Sequence, residues 1–308
     1  MEPLAVDAST FGELFDSVSN WLRWGAEDQR GTLNHLTPTA LVAASALVRD
    51  GRTVSLAHDL DTIAGPDNDR PALHYMTQLG DVSTAEPRIN TDFVGTDFHG
   101  KSVTHIDALC HCNFRGRLYN DIVSHGKVGS AGSTIGSIQQ MKAGIVGRGV
   151  LVDLPRLRDV LWLEPGTAVE PEELEEALDA QAVTLVPGDI VLVRTGHRRR
   201  RVVLGAWDPT DHSAGLHPTS MTFLHRQRAS VLGSDGDSDT HPSSVEGVTS
   251  PIHALALAGM GMPLIDNMNL EDVAIACSEL GRWEFLFTLA PLRIPGGTGS
   301  PVNPLAVF

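Results

Sequence analysis

The sequence predicts a single α/β domain, residues 1–308, in which helices flank a mixed β-sheet. Apolar β-branched runs, typical of buried strands, alternate along the chain with amphipathic or proline-led helical segments. No Pro/Gly/Ser-rich linker and no internal repeat divides the chain. With 308 residues, 42% of them hydrophobic, the chain is long enough to bury a large core.

The first hundred residues contain signals for a helix, then a strand, then a long loop. Thr37 and Pro38 supply an N-cap and a first-turn proline, so we predict a helix that continues to about Gly51. The segment before it is predicted to be a loop. Residues 52–60 predict a strand because they alternate and include β-branched side chains. Residues 61–92 are rich in Pro, Asp, Asn and Thr, so we expect a long loop or two irregular strands.

The later elements alternate between strand and helix. Residues 142–157 and 186–196 each carry an apolar run that predicts a buried strand, and residues 169–183 predict an amphipathic helix. Residues 215–236 predict a helix and a short strand, and residues 250–274 a proline-led helix and a strand ending near Asp266. Residues 283–308 predict a strand, a Gly-rich turn and a final extended piece.

The charge of the chain excludes several classes of partner. The formal net charge is -15, so we expect neither nucleic acid nor an anionic membrane as a partner. The one basic cluster, residues 196–203, is predicted to be a solvated loop. The three cysteines argue against a disulfide framework, and no signal peptide or apolar run of membrane-spanning length is evident. These features predict a cytoplasmic protein.

One short stretch, FHGKSVTHIDALCHCNF at residues 98–114, concentrates side chains that bind metals: His99, His105, Asp107 and His111. On a strand, residues two apart point to the same face, so His105 and Asp107 could reach one ion. Turns on either side could bring the other two histidines to the same pocket. Imidazole and carboxylate together suit Zn²⁺ or Mn²⁺. A lone histidine would more often be structural, but three with an aspartate favour a site, because each buried polar group needs a partner.

Other motifs add little to this site. His253 opens a predicted helix and Asp266 ends a predicted strand, and either could be a further ligand or could support one. The acidic stretch at residues 234–241 lacks the distal glutamate of a calcium loop, so we predict a turn built by Asp and Gly. Cys110 is expected to be apolar filler, although a nucleophilic cysteine paired with His111 stays open. Neither nucleotide-binding glycine motif nor a G-x-S-x-G elbow is present.

The stretch THIDALCH resembles the core of the cyclase family, which includes bacterial kynurenine formamidases and isatin hydrolases. The usual family motif is H-x-G-T-H-x-D-x-P-x-H. The resemblance extends over nearly the whole chain, through blocks similar to those of long members: WGAEDQRGTLNHLTP, HCNFRGRLYN, GDIVLVRTG, GLHPTSMTFL, GSDGDSD, PIHALALAGMGMPLIDNMNLE and PLRIPGGTGSPVNPLAV.

This resemblance implies a fold, a metal and roles for particular residues. It implies a mixed α/β fold, an oligomer that is often a dimer, and Zn²⁺ or Mn²⁺. His105 and Asp107 fall on motif positions that are metal ligands, and His111 falls on a histidine assigned acid/base or second-metal work. His253 falls on a later family histidine, and Asp266 lies near a position where many members have glutamate.

The chain departs from the family motif at its first histidine and at its proline. The first motif histidine is replaced by Lys101, whose ammonium has no lone pair for a metal, and the motif proline is replaced by Leu109. Either His99 substitutes for the missing histidine, or the site has lost its metal.

The two readings predict different chemistry on a small-molecule substrate. In the first, His99, His105, Asp107, His253 and Asp266 hold a metal, and the protein hydrolyses a C–N bond in a small amide, formamide or lactam, with His111 as acid/base. In the second, a metal-free enzyme of secondary metabolism uses His105, His111 and Lys101 for cyclisation, dehydration or hydrolysis. A non-catalytic binding protein on the same fold is the third alternative.

Overall fold

The computed structural model describes residues 5–82, 84 and 86–308. Within these residues the strands are β1 (Thr53–Ser55), β2 (Leu73–Gln78), β3 (Thr91–Gly95), β4 (His105–Asp107), β5 (Arg117–Leu118), β6 (Ile122–Val123), β7 (Val128–Gly129), β8 (Gly132–Ser133), β9 (Ile145–Asp153), β10 (Ala168–Val169), β11 (Ile190–Arg194), β12 (Gly215–Leu216), β13 (Val231–Ser234), β14 (Leu264–Asp266), β15 (Glu284–Leu289), β16 (Gly299–Pro301) and β17 (Leu305–Val307). The helices are α1 (Ala8–Val18), α2 (Pro38–Ser45), α3 (Leu154–Leu157), α4 (Pro171–Ala180), α5 (His197–Leu204), α6 (Ser220–Gln227), α7 (Pro251–His253), which continues as a π-helix over Ala254–Met260, and α8 (Glu271–Leu280).

A mixed sheet forms the centre of the fold, which confirms the predicted fold class. Its strand order is β1-β17-β15-β9-β11-β13-β14-β4-β16. The central strands β9, β11, β13 and β14 are parallel, and the pairs toward both edges are antiparallel. The carboxyl ends of the parallel strands therefore meet at one edge, where open α/β sheets usually bind ligands.

Both faces of the sheet are covered, so the central strands are continuously apolar. In β11, Val191 and Val193 pack into one buried cluster, and Ile190 and Leu192 pack into a second cluster on the opposite face. The first cluster includes residues of α1, α4, α6 and the π-helix, and the second includes residues of α8. Such two-sided burial explains why the sequence shows unbroken runs here rather than alternation.

Two predictions at the amino-terminal end need correction. Residues before Thr37 were expected to be a loop, but Asp7 caps α1, accepting hydrogen bonds from the amides of Ser9 and Thr10. The helix capped by Thr37 was expected to reach Gly51, but it ends at Ser45. The amides of residues 50 and 51 instead donate to the carbonyl of Phe308, which draws the chain toward the sheet.

The basic cluster is also a helix rather than the predicted solvated loop. Residues 197–204 form α5 because the buried carboxylate of Asp235 accepts hydrogen bonds from the amides of Thr195, Gly196 and His197. The capping residue directly follows β13, which is distant in sequence from α5, so no local sequence pattern predicts this cap. Helix α8 was likewise not predicted. None of the described helices is both long enough and apolar enough to cross a bilayer.

Candidate metal centre

The strand pairing places the candidate ligands at the carboxyl edge of the parallel strands. Strand β4 runs antiparallel to β14, and His105 lies opposite Asp266 in this pairing. As expected for residues two apart on a strand, His105 and Asp107 point the same way, with His105 Nε2 3.6 Å from Asp107 Oδ1. Position and side-chain direction are therefore both set by the sheet.

His99 joins these two residues, although it precedes the position expected from the family motif. Its Nδ1 lies 2.9 Å from Asp107 Oδ1, and its Nε2 lies 3.0 Å from the hydroxyl of Thr298. The other imidazole, that of His105, contacts the carbonyl of Val103 through Nδ1 at 2.8 Å. One ring nitrogen of each histidine is thus held by the protein, and the other faces Asp107.

A second group of ligand atoms lies on the other oxygen of Asp107. His111 Nε2 lies 3.8 Å and His253 Nε2 lies 3.4 Å from Asp107 Oδ2. His253 Nε2 is also 3.4 Å from Asp266 Oδ2. In each of the sets His99–His105–Asp107 and Asp107–His111–His253, one ligand atom per residue lies within 4.8 Å of the others. The structure therefore gathers six of the seven candidate residues into one cluster centred on Asp107. The seventh candidate, Lys101, lies beside the cluster.

The donor atoms at the centre fit a metal ion because they lack other partners. Among the residues that the structure describes, His99 Nδ1 and both oxygens of Asp107 are buried without a hydrogen-bond partner. The 2.9 Å contact between His99 and Asp107 does not have the angles of a hydrogen bond. Unpaired buried polar atoms are costly, so their convergence fits the binding of a cation. The mixture of imidazole and carboxylate suits Zn²⁺ or Mn²⁺.

Lys101 lies beside this cluster but does not take the position of a ligand. Its ammonium donates to Asp237 Oδ2, and this carboxylate is also 3.0 Å from His241 Nε2. Although burial would lower the pKa of Lys101, the Asp237 carboxylate raises it above its usual value. Lys101 is therefore a charged counter-ion to Asp237, while His99 stands with the candidate ligands.

The acidic stretch at residues 234–241 does more than form the predicted turn, because its side chains support the cluster. Asp239 Oδ2 lies 2.5 Å from His253 Nδ1, and the hydroxyl of Ser238 donates to Asp266 Oδ1 at 2.7 Å. This set of residues was missed by sequence reasoning. Its position in the sequence could have indicated this role, because the stretch directly follows β13. That strand is parallel to its neighbour β14, which ends at Asp266, so the residues that follow both strands lie at the same edge of the sheet.

The carboxylates around His253 favour its charged form. Burial alone would lower the pKa of His253, but its contacts with the carboxylates of Asp107, Asp239 and Asp266 raise it well above its usual value, so His253 would have to release a proton to bind a metal. Burial would raise the pKa of Asp107, yet contacts with His253 and His99 hold it well below its ordinary range. Burial lowers the pKa of His111 to about 4, so this imidazole is neutral at pH 7.

The cysteines and aromatic residues near the motif have structural surroundings. Cys110 is buried as expected, and burial raises the pKa of the Cys112 thiol to about 11, which leaves it unreactive at neutral pH. Phe98 packs its ring against His99 and His105, at centroid distances of 4.5 and 6.2 Å. A groove of about 740 Å³ reaches this ring and also contains Thr104 in its wall.

These features define a class of protein: an α/β protein with a buried histidine–aspartate centre fitted for a divalent metal. The family model named Cyclase, described as "Putative cyclase", matches residues 37–238, well over half of the chain. The chain belongs to the cyclase family, as its motif predicted.

Solved structures agree with this assignment. A crystal structure described as a novel cyclase is 32% identical, covers 96% of this chain and 99% of its own, and superposes with a TM-score of 0.86. Isatin hydrolase A from Labrenzia aggregata, bound to benzyl benzoate, shares the fold at 21% identity, with 87% and 97% coverage and a TM-score of 0.60. Isatin hydrolase A from Ralstonia solanacearum gives 20% identity, 88% and 97% coverage and a TM-score of 0.58. The comparison with curated proteins gave no match.

Proposed function

We propose that the protein is a metal-dependent hydrolase of a C–N bond in a small amide, formamide or lactam. The observation that carries the proposal is the convergence of His99, His105 and His253 on Asp107, whose two buried oxygens lack a hydrogen-bond partner. Similarity of fold to isatin hydrolases supports a hydrolytic reaction. Sites of this composition suit Zn²⁺ or Mn²⁺.

The ligand set is divided between a turn, two strands and one helix. His99, His105 and Asp107 would hold the ion on one side, and His253 with Asp266 would hold it or a second ion on the other. When bound, such an ion polarises a carbonyl and lowers the pKa of a coordinated water toward about 7. Asp239 would orient His253 by accepting the hydrogen bond from Nδ1, leaving Nε2 to face the other ligands.

His111 is the residue that we assign to proton transfer. Its imidazole is neutral at pH 7 because burial lowers its pKa to about 4, so one of its ring nitrogens has a lone pair that can accept a proton from water. The ring stacks on His99 at a centroid distance of 4.0 Å, which fixes its orientation beside the ligands. His111 would then return the proton to the leaving nitrogen. General acid–base catalysis of this kind contributes about 10²–10⁴ in rate.

The metal-free alternative requires Lys101 to supply positive charge at the reacting centre. In the structure its ammonium donates to Asp237, whereas the imidazole of His99 lies beside Asp107. We therefore favour the metal-dependent reaction over cyclisation or dehydration by His105, His111 and Lys101.

The experiment that tests this proposal combines metal analysis with turnover. The purified chain should contain Zn²⁺ or Mn²⁺, hydrolyse at least one member of a panel of formamides, aryl amides and lactams that includes isatin, and lose activity on chelation. Readdition of the ion should restore turnover. Activity that survives complete removal of metal would instead support the metal-free enzyme, and tight ligand binding without any turnover would support a binding protein.

A further inference from the structure

A cavity of about 290 Å³ lies between the start of α5 and the segment that follows β1. Polar and charged side chains form most of its wall. Lys101 is among them, but the candidate metal ligands are not. Exposed residues such as Asp59 and Ile63 belong to the wall, so the cavity opens to solvent. Its volume lies at the lower end of the range of about 300–1,000 Å³ that is typical of small-molecule sites.

The basic cluster of the sequence, residues 196–203, supplies two arginines to this cavity. Arg201 lines the wall and pairs with Asp61 and Asp67. Arg198 lines the wall as well and is half-buried. Within the described residues, however, its guanidinium has neither an ion-pair partner nor a hydrogen bond. A charge that is partly withdrawn from water without a partner is costly, so Arg198 is suited to receive an anion.

Two neutral imidazoles, those of His58 and His197, line the same cavity. Burial, together with the charges of Arg198 and Arg201, lowers the pKa of His58 to about 4. Burial likewise lowers the pKa of His197 to about 4. The His197 ring packs on Trp207 at a centroid distance of 4.5 Å, and in the part of the chain that the structure describes its nitrogens have no hydrogen-bond partner. Because a neutral imidazole carries one N–H, each ring can donate a hydrogen bond to a bound anion.

The other charges of the wall have partners or lie at its rim. The ammonium of Lys101 donates to Asp237, and the carboxylate of Asp235 accepts hydrogen bonds from the backbone amides at the start of α5. Asp59 is exposed to solvent. Arg198 is therefore the cation of the wall that is left to bind a ligand.

This distribution of charge selects the kind of anion. One guanidinium and two neutral imidazoles match a single negative charge, and the planar fork of a guanidinium binds a carboxylate through two parallel hydrogen bonds. A dianion such as phosphate would be repelled by the carboxylates that also line the wall, among them Asp61 and Asp67. The surroundings of Arg198 thus favour a monocarboxylate over a phosphate.

We propose that this cavity is a binding site for a small organic monocarboxylate, separate from the metal centre. The carboxylate binds to the guanidinium of Arg198, and His58 and His197 donate hydrogen bonds to it. The body of the ligand lies against Leu60 and Ile63, which are apolar residues of the wall. A ligand with one carboxylate on a short chain or a single ring fits both the volume and the charge of the cavity.

The test is the binding of benzoate and acetate to the purified full-length protein, measured by titration calorimetry. Benzoate carries one carboxylate on a small apolar ring, acetate carries the same group on a methyl, and benzamide resembles benzoate in shape without the charge. Wild type should bind one equivalent of benzoate or acetate, and should bind the tighter of the two at least about 10-fold more tightly than benzamide. Equal affinity for the carboxylates and benzamide, or tighter binding of inorganic phosphate, would contradict the proposal.

Two neighbouring arginines provide the variant and its matched control. Arg198→Gln should weaken carboxylate binding by at least about 10-fold, because it removes the charge and the guanidinium fork. Arg199→Gln makes the same change at an exposed position of α5 outside the cavity wall and should bind as wild type does. Neither arginine is fully buried, so both variants should fold.

A carboxylate can also bind to a metal ion, so a third variant separates the two places. Asp107→Asn removes a candidate metal ligand that is not part of the cavity wall, and it should bind the carboxylates as wild type does. These measurements need no turnover, so failure of the proposed hydrolysis would leave them unchanged. A wild type that binds neither benzoate nor acetate, binding that Arg198→Gln leaves intact, or binding that is lost in Asp107→Asn would overturn the inference.

Discussion

His253 is held by Asp239: its Nδ1 lies 2.5 Å from an Asp239 carboxylate oxygen, while its Nε2 lies 3.4 Å from Asp107. A carboxylate that orients a ligand histidine in this way usually contributes 10- to 100-fold to metal affinity. We therefore expect Asp239→Asn to weaken binding of Mn²⁺ or Zn²⁺ by about 10- to 100-fold. Titration calorimetry on the metal-stripped protein measures this directly.

The control for that variant is Asp211→Asn, which removes the charge of an exposed aspartate elsewhere on the chain. It should bind metal as wild type does. Equal affinities in the Asp239 and Asp211 variants would show that Asp239 only caps the helix that follows, where it accepts a hydrogen bond from the amide of Ile252.

His99 and Lys101 are two residues apart, and their variants should behave differently toward metal. His99→Ala removes a nitrogen that faces Asp107 and should lower metal affinity by at least 10-fold. Lys101→Met removes a side chain that faces Asp237 and should leave one equivalent of metal bound. Metal content after dialysis against a fixed free ion concentration separates the two. The reverse pattern would place Lys101, and not His99, at the ion.

Lys101→Met should instead affect the stability of the fold. Removing one partner of a buried ion pair leaves the other uncompensated, which typically costs about 3–5 kcal/mol. Because the Lys101 side chain is 27% exposed and His241 also contacts Asp237, we expect a loss of about 1–3 kcal/mol in the free energy of unfolding. Urea denaturation of the metal-stripped protein measures it, and Lys101→Arg should recover part of the loss. An unchanged stability in Lys101→Met would contradict the ion pair.

His197 should make the fold sensitive to acid. Burial lowers its pKa to about 4, whereas a histidine in the unfolded chain has its ordinary pKa of about 6.5. As the pH falls from 6.5 toward 4, His197 becomes protonated in the unfolded chain but stays neutral in the folded chain, so the free energy of unfolding decreases. Between pH 7 and pH 5, this one residue should account for about 1–2 kcal/mol of that decrease.

His197→Gln should therefore lose less stability than wild type over this pH range, as measured by urea denaturation at both pH values. His125→Gln, at an exposed position, controls for the loss of an imidazole as such. If both variants follow the wild-type pH dependence, His197 is not held neutral in the fold.

The sequence was informative where spacing alone determines geometry. Because His105 and Asp107 are two residues apart, the sequence predicted that both lie on one face of a strand. In the structure both residues lie on β4, and their side chains point the same way. Apolar runs located β9, β11 and β13 because burial on both faces requires unbroken hydrophobic residues. His253 and Asp266 also reach the cluster.

The sequence was uninformative where a contact joins distant segments. Asp239 meets His253 only because the loop after β13 lies beside the start of α7, and Asp235 caps α5 across the sheet edge. Both aspartates resemble ordinary turn residues in the sequence. Lys101 turns toward Asp237, which is 136 residues away along the chain, so the motif alone could not tell whether it displaces a ligand.

The central claim is that a divalent ion binds at Asp107, and the most direct test is the metal content of purified wild type and Asp107→Asn by mass spectrometry. Asparagine keeps the shape of the side chain but removes its charge. We predict at least one equivalent of Zn²⁺ or Mn²⁺ per wild-type chain. A folded Asp107→Asn protein should retain less than about a tenth of an equivalent, because removing a ligand weakens metal binding by 10-fold or more. A wild-type chain that stays metal-free in the presence of both ions, or an Asp107→Asn protein that retains a full equivalent, would contradict the account.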